Sequence, residues 1–185
     1  MVLDAWLTPP PSEGADVTAA GRLPEPARFE LDLPACPLES FPPNNAHPAW
    51  NAGGKAVGYR WGNGPAVLLV HGWGGSAGSF ALWIGALLKA GFSVAAIDGP
   101  AHGNSPGVFA SAPAIAGAIR AFGKVAGPFH SVVAHSVGAI ATALAASDGQ
   151  LFEKAVFLAP CCSVGHSLTD EARRQGLPSD RDPAL

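Results

Sequence analysis

The sequence has few charged residues and lacks any long hydrophobic run. Of its 185 residues, 14% are charged, and the formal net charge is −3. Lysine and arginine are few and scattered, so no basic patch indicates a nucleic-acid partner. The longest apolar runs, such as residues 66–70, are much shorter than the ~20 residues that span a bilayer. We therefore expect neither nucleic-acid binding nor a membrane span.

Cysteine is also scarce. Cys36, Cys161 and Cys162 are an odd number and include an adjacent pair, which is not typical of a disulfide framework. No cysteine and histidine have the spacing of zinc ligands. The N-terminus has an early acid and no basic region, so it does not resemble a signal peptide. We expect a cytoplasmic protein without a metal or a cofactor.

What the chain does have is a high apolar content, 48% of all residues, which is enough for one domain with a core. Residues 1–54 are proline-rich, with an alternating edge strand predicted at residues 28–33. Residues 55–162 are predicted to form the core, and residues 163–185 an irregular tail.

Within the predicted core, strands alternate with helices. Strands are predicted at residues 55–61, 66–71, 92–98, 130–135 and 154–159, and helices at residues 80–90, 113–125 and 137–147. This alternation predicts an α/β fold whose mostly parallel sheet has helices on both faces. Chemistry in such sheets lies at the carboxyl ends of the strands. Three glycine-bearing turns follow strands there, at residues 71–78, 98–107 and 135–138.

The turn around Ser136 is the most informative. An apolar strand ends in a serine flanked by small residues, and an alanine-rich helix follows. This pattern is typical of a nucleophile elbow, which exposes a serine hydroxyl for acyl transfer. The alternative is that Ser136 only caps the following helix, as serine often does.

The turn at residues 71–75 predicts the second half of an oxyanion hole. Its N–H donor would come from Trp73, and the other would come from Val137, the residue after the serine. A rival interpretation is a dinucleotide site, because Gly72-x-Gly74-x-x-Ala77 fits the G-x-G-x-x-G/A fingerprint and Asp98 ends the next strand. We favour the oxyanion hole, because two strands precede this unit and a dinucleotide site leaves Ser136 unexplained. For Asp98 and His102 we favour structural roles in their loop over catalysis.

Together the three turns resemble the α/β-hydrolase superfamily. Residues 71–75 (H-G-W-G-G) resemble its H-G-x-x-G turn, and residues 98–105 (D-G-P-A-H-G-N-S) its D-x-P-G-H-G-x-S loop. Residues 134–138 (A-H-S-V-G) resemble its G-x-S-x-G elbow, with alanine in place of the first glycine. The resemblance implies a partial fold with about six of the usual eight strands. It also implies a serine hydrolase that cleaves carboxylic ester, thioester or amide bonds of a small acyl substrate, with Ser136 as nucleophile and the Trp73 and Val137 N–H groups as the oxyanion hole.

The base and the acid of a catalytic triad are not evident. The family order is Ser, then Asp or Glu, then His, yet the only histidine after Ser136 is His166. The predicted topology places Asp148 and Glu153 at the wrong end of the sheet. We expect a truncated, inactive or impaired hydrolase; the alternatives are that His166 is a local base, or that the chain is a non-catalytic binding module. Truncation would leave residues 155–159 near a sheet edge, where we expect self-association.

Overall fold

The computed structural model describes residues 8–12, 16–18, 22–34, 54–147 and 149–161. The six strands are β1 (Ala27–Leu33), β2 (Gly54–Trp61), β3 (Ala66–Val70), β4 (Ser93–Asp98), β5 (Phe129–His135) and β6 (Phe152–Leu158). The helices are α1 (Ala81–Lys89), which a 3₁₀ turn (Ala77–Phe80) precedes, α2 (Ala112–Ala126) and α3 (Val137–Ala146). Every predicted strand and helix is present, with bounds that differ by two residues at most.

The six strands form one sheet in the order β1-β2-β4-β3-β5-β6. The pairs β1–β2 and β2–β4 are antiparallel, whereas the pairs β4–β3, β3–β5 and β5–β6 are parallel. The prediction of a mostly parallel sheet is therefore confirmed. Strand β1 belongs to the proline-rich N-terminal segment and pairs along its length with β2, from Ala27 opposite Arg60 to Leu33 opposite Gly54.

The central strand β3 shows why the sheet needs helices on both faces. All five of its residues are buried, and successive side chains point to opposite faces. Leu68 and Val70 pack in the core under α2 and α3, while Val67 and Leu69 pack in the core under α1. A continuously apolar strand is stable only when both faces are covered, and here they are.

Local signals in the sequence set the limits of the helices. The Ser111 hydroxyl accepts a hydrogen bond from the N–H of Ala114 and caps α2, and a proline stands in the first turn. Helix α1 ends just before Gly91, which has a φ of 87°. Glycine adopts this left-handed conformation without strain, as the predicted cap requires.

Three strands end side by side at the carboxyl edge of the sheet. β3 lies between β4 and β5, so the turns that follow Val70, Asp98 and His135 converge there. These are the three glycine-bearing turns of the sequence. None of the helices in the described residues is long and apolar enough to cross a membrane. The predicted tail at residues 163–185 lies outside the described residues.

Candidate active site

Ser136 lies between β5 and α3 in a backbone conformation that is rare for a residue with a side chain. Its φ is 53° and its ψ is −122°. Such a conformation costs on the order of 1–3 kcal/mol and persists only where the surroundings enforce it. The Ser136 hydroxyl makes no capping hydrogen bond to α3. The Ser136 side chain therefore does not cap α3, which argues against the alternative that it is only a helix cap, and its backbone has the positive φ of a sharp strand-to-helix turn.

Small residues allow this turn to form. A Cβ on Gly138 would lie 2.5 Å from the carbonyl oxygen of His71 and 2.9 Å from that of Val70. Helix α3 therefore begins in direct contact with the end of β3. Gly72 is also confined, because a Cβ there would lie 2.8 Å from the Nδ1 of His135 and 3.0 Å from the Cβ of Ser136. The first glycine turn thus lies directly beside the serine.

The two predicted oxyanion donors are available for a ligand. The turn after β3 is closed by a hydrogen bond from the Gly75 N–H to the Gly72 carbonyl, 3.0 Å long. Neither the Trp73 N–H nor the Val137 N–H has an acceptor among the described residues. Val137 is the first residue of α3, where N–H groups have no partner within the helix. Free N–H groups beside a serine can stabilise a negatively charged oxygen.

Asp98 supports the loop that follows β4. Its buried carboxylate accepts hydrogen bonds from the N–H groups of Ala77 and Asn104, both 2.7 Å long, and from the Tyr59 hydroxyl at 3.2 Å. Burial raises the pKa of Asp98, and the two N–H donors oppose that rise. Burial and the neighbouring Asp98 raise the pKa of Tyr59 to about 12. These contacts agree with the structural role that we favoured for Asp98.

The same contacts contradict the dinucleotide interpretation. A ribose-binding acid must present its carboxylate to the ligand. The Asp98 side chain is fully buried, with its oxygens occupied by Ala77, Asn104 and Tyr59. Gly103 also lies so close to this carboxylate that a Cβ there would clash with it.

Two buried histidines lie behind the serine turn. His71 donates from Nδ1 to the Gly72 carbonyl at 2.7 Å and accepts at Nε2 from the Gly99 N–H at 2.9 Å, so its ring is neutral. His102 donates from Nδ1 to the Pro100 carbonyl at 2.8 Å, and its ring centroid lies 4.8 Å from that of His71. Burial lowers the pKa of each to about 4. They stabilise the two turns as uncharged groups.

No described histidine completes a triad. The Nδ1 of His130 lies 3.4 Å from a carboxylate oxygen of Glu153, near the starts of β5 and β6 and thus at the opposite end of the sheet from Ser136. His135 is exposed and has no carboxylate partner among the described residues. The predicted position of Glu153 at the wrong end is confirmed, whereas Asp148 and His166 lie outside the described residues.

A cleft of about 620 Å³ lies beside the first glycine turn. Its lining is mostly apolar and includes Trp73, Phe80, Trp83, Leu158, Pro10 and Pro11. Trp73 and Trp83 are 38% and 45% exposed, so their rings are open to a ligand. Among the described residues, no three side chains of His, Cys, Asp or Glu are grouped as a metal ion requires.

The three converging turns, the strained serine and the six-stranded sheet define the class of the protein. A model of the alpha/beta hydrolase family matches residues 67–185. The chain belongs to the alpha/beta hydrolase family. No curated protein matches the sequence.

Solved structures of hydrolases share the fold. An esterase of Pyrococcus furiosus is 19% identical with a TM-score of 0.61, and the match covers 93% of this chain and 64% of the esterase. A monoacylglycerol lipase of Paleococcus ferrophilus is 25% identical with a TM-score of 0.55, and the match covers 70% and 53%. An epoxide hydrolase of Vigna radiata is 20% identical with a TM-score of 0.56, over 73% and 40%. The chain thus spans less than two thirds of the length of these proteins.

Proposed function

We propose that this chain carries the nucleophile and the oxyanion hole of a serine hydrolase that acts on carboxylic ester, thioester or amide bonds. The observation that carries the proposal is the backbone of Ser136, whose φ of 53° is maintained although its hydroxyl makes no capping bond. Strain of this kind is typical of functional sites. A serine at the elbow favours an acyl-enzyme intermediate.

In the proposed reaction, the Ser136 Oγ attacks the carbonyl carbon of the substrate and its proton is transferred to a base. The carbonyl oxygen becomes negative and accepts hydrogen bonds from the Trp73 and Val137 N–H groups. Losing one such donor typically costs ~10²–10³ in rate. The bond to the leaving group then breaks, and the leaving group departs with the proton that Ser136 lost. The acyl group remains on Ser136 until water attacks the ester, which releases the acid and returns a proton to the serine oxygen.

The proposal includes impaired catalysis by this chain. His71 and His102 are buried and donate hydrogen bonds to backbone carbonyls, so they are not placed as bases. His135 has no carboxylate among the described residues to orient it. Without an oriented base, serine is a weak nucleophile. Hydrolases that lose their triad retain roughly 10³–10⁴-fold catalysis over water from the oxyanion hole and binding alone.

A fluorophosphonate probe tests the proposal. We expect slow labelling that mass spectrometry assigns to Ser136 and that Ser136→Ala abolishes. The matched control is Ser147→Ala, which removes an exposed hydroxyl at the far end of α3 and should leave labelling unchanged. No labelling of Ser136 above that of Ser147 would contradict the nucleophile. Fast labelling that is lost in His166→Ala would contradict the impairment and identify His166 as the base.

A further inference from the structure

A short proline segment near the N-terminus, residues 8–12, lies against two of the three glycine turns. The Ser12 hydroxyl donates to the Gly75 carbonyl and accepts from the Gly103 N–H, both at 2.9 Å. Ser12 is 63 residues from Gly75 and 91 residues from Gly103. A single hydroxyl therefore connects the predicted oxyanion turn to the loop that follows β4.

The proline rings fix the position of this segment. Pro9 is buried. Pro10 lies against Gly74, where a Cβ would meet the Pro10 ring at 2.8 Å, so a larger residue at that position would displace the segment. Each proline ring also restricts φ to about −65°, so the segment loses little conformational freedom when it packs.

The segment forms one side of the cleft, which reaches Ser136 through two of its lining residues, Gly72 and His135. Pro10 and Pro11 line the cleft together with Trp73, Phe80 and Trp83. Apolar clefts of ~300–1,000 Å³ are typical of small-molecule sites. At about 620 Å³, the cleft has the volume and the lining for an apolar group attached to a reacting carbonyl.

We propose that the proline segment, residues 8–12, is a specificity-determining wall of the acyl site. Pro10 and Pro11 contact the apolar acyl chain, and the Ser12 hydroxyl holds this wall against the predicted oxyanion turn through its hydrogen bond to Gly75. This inference rests on the proposed function, because it assigns the cleft to the acyl part of that substrate. The ligand class is an apolar acyl chain. The larger part of the cleft surface is apolar, which favours contact with an acyl chain, and His71, Ser79 and His135 contribute to its polar part.

Binding of 2-alkanones tests the proposed wall independently of any catalytic activity. All measurements use the full chain with Ser136→Ala, titrated with a series of 2-alkanones from acetone to 2-decanone, with tryptophan fluorescence as the signal. An alkanone resembles an acyl group without its leaving group. We expect affinity to rise with chain length. We expect the double variant Pro10→Ala/Pro11→Ala, and separately Ser12→Ala, to weaken 2-octanone binding by about three- to tenfold and to leave acetone nearly unaffected.

Matched variants distinguish a loss of contact with the wall from a general loss of folding stability. Ser12→Thr keeps the hydroxyl and should restore binding, whereas Pro34→Ala and Ser147→Ala, both away from the cleft, should bind as the parent does. Unchanged affinity in the Pro10/Pro11 and Ser12 variants would overturn the wall, and so would an absence of alkanone binding by the parent. Tighter binding in these variants would also overturn it, because the segment would then obstruct the cleft. Failure of Ser136 labelling alone contradicts the proposed function and leaves this titration decisive for the wall.

Discussion

Ala101 has a backbone conformation that favours glycine. Its φ is 59°, in the loop where the family motif has glycine. Its N–H donates to the Pro106 carbonyl at 3.1 Å, which closes the loop around this conformation. A left-handed residue with a Cβ costs roughly 1–2 kcal/mol, so the chain maintains this loop shape at a cost in stability.

We therefore expect Ala101→Gly to stabilise the protein. The gain from relieved strain exceeds the extra freedom of glycine in the unfolded chain, so the free energy of unfolding should rise by about 0.5–1 kcal/mol. Urea unfolding measures this change. Ala90→Gly is the control, because Ala90 has an ordinary φ of −82° and the same substitution should destabilise there. A loss of stability in Ala101→Gly would show that the loop does not strain Ala101.

The turn at Ser136 could be predicted from the sequence, whereas the contacts of Ser12 could not. Its flanking small residues and the following helix predicted the turn correctly, because the requirement for close packing is local and appears in the sequence. Ser12 gave no such signal. Its partners are 63 and 91 residues away, and a serine between prolines and polar residues has no pattern that indicates them.

Among the secondary-structure elements, β6 is the most exposed. It pairs with β5 on one side and is the last strand of the sheet in the described part of the chain. Val156 and Phe157 are 51% and 43% exposed. Adjacent strand residues point to opposite faces, so β6 is uncovered on both. An exposed apolar edge strand is a template for pairing with another chain.

We expect the isolated chain to associate reversibly through β6. Sedimentation velocity should show a weight-average mass that rises with protein concentration. Val156→Lys should suppress the rise, because a charge at a sheet edge opposes strand pairing. The control is Val125→Lys, which places the same charge at an exposed valine of α2 and should not affect association. A wild-type chain that stays monomeric at all concentrations would contradict the expectation.

Strand positions were predictable to within two residues, and the reason is visible in β3 and β4. All their residues are buried, and the sequence shows this as an apolar run over the whole of β3 and over residues 94–97 of β4, between Ser93 and Asp98. The 3₁₀ turn before α1 was not predicted. It depends on Asp98, whose carboxylate accepts the Ala77 N–H from a strand 21 residues away. Contacts of this kind arise only after the sheet has formed, so local patterns do not encode them.

At the scale of the whole molecule, the buried histidines make stability depend on pH. The pKa of both His71 and His102 is about 4 in the folded protein, below the ordinary value of 6.5. In the unfolded chain the two histidines therefore bind protons near pH 6.5, whereas in the folded protein they bind them only near pH 4. The stability that this difference contributes is full above pH 6.5 and is lost as the pH falls towards 4. Asp98 acts in the opposite sense, because its pKa is raised on folding.

We expect the histidines to outweigh Asp98, because there are two of them and three hydrogen bonds limit the rise in the pKa of Asp98. Protonation of each histidine in the unfolded chain should lower the free energy of unfolding by on the order of 2–3 kcal/mol across this pH range. That is a large share of the ~5–15 kcal/mol by which a typical protein is stable. Urea unfolding between pH 7.5 and about 4.5, a range set by these shifts, should show a steady loss of stability as the pH falls. His102→Gln should make the dependence clearly shallower. Ile84→Val, on the buried face of α1, should lower the free energy of unfolding by a similar amount at every pH. If His102→Gln leaves the slope as steep as in the wild type, His102 is not held neutral by burial.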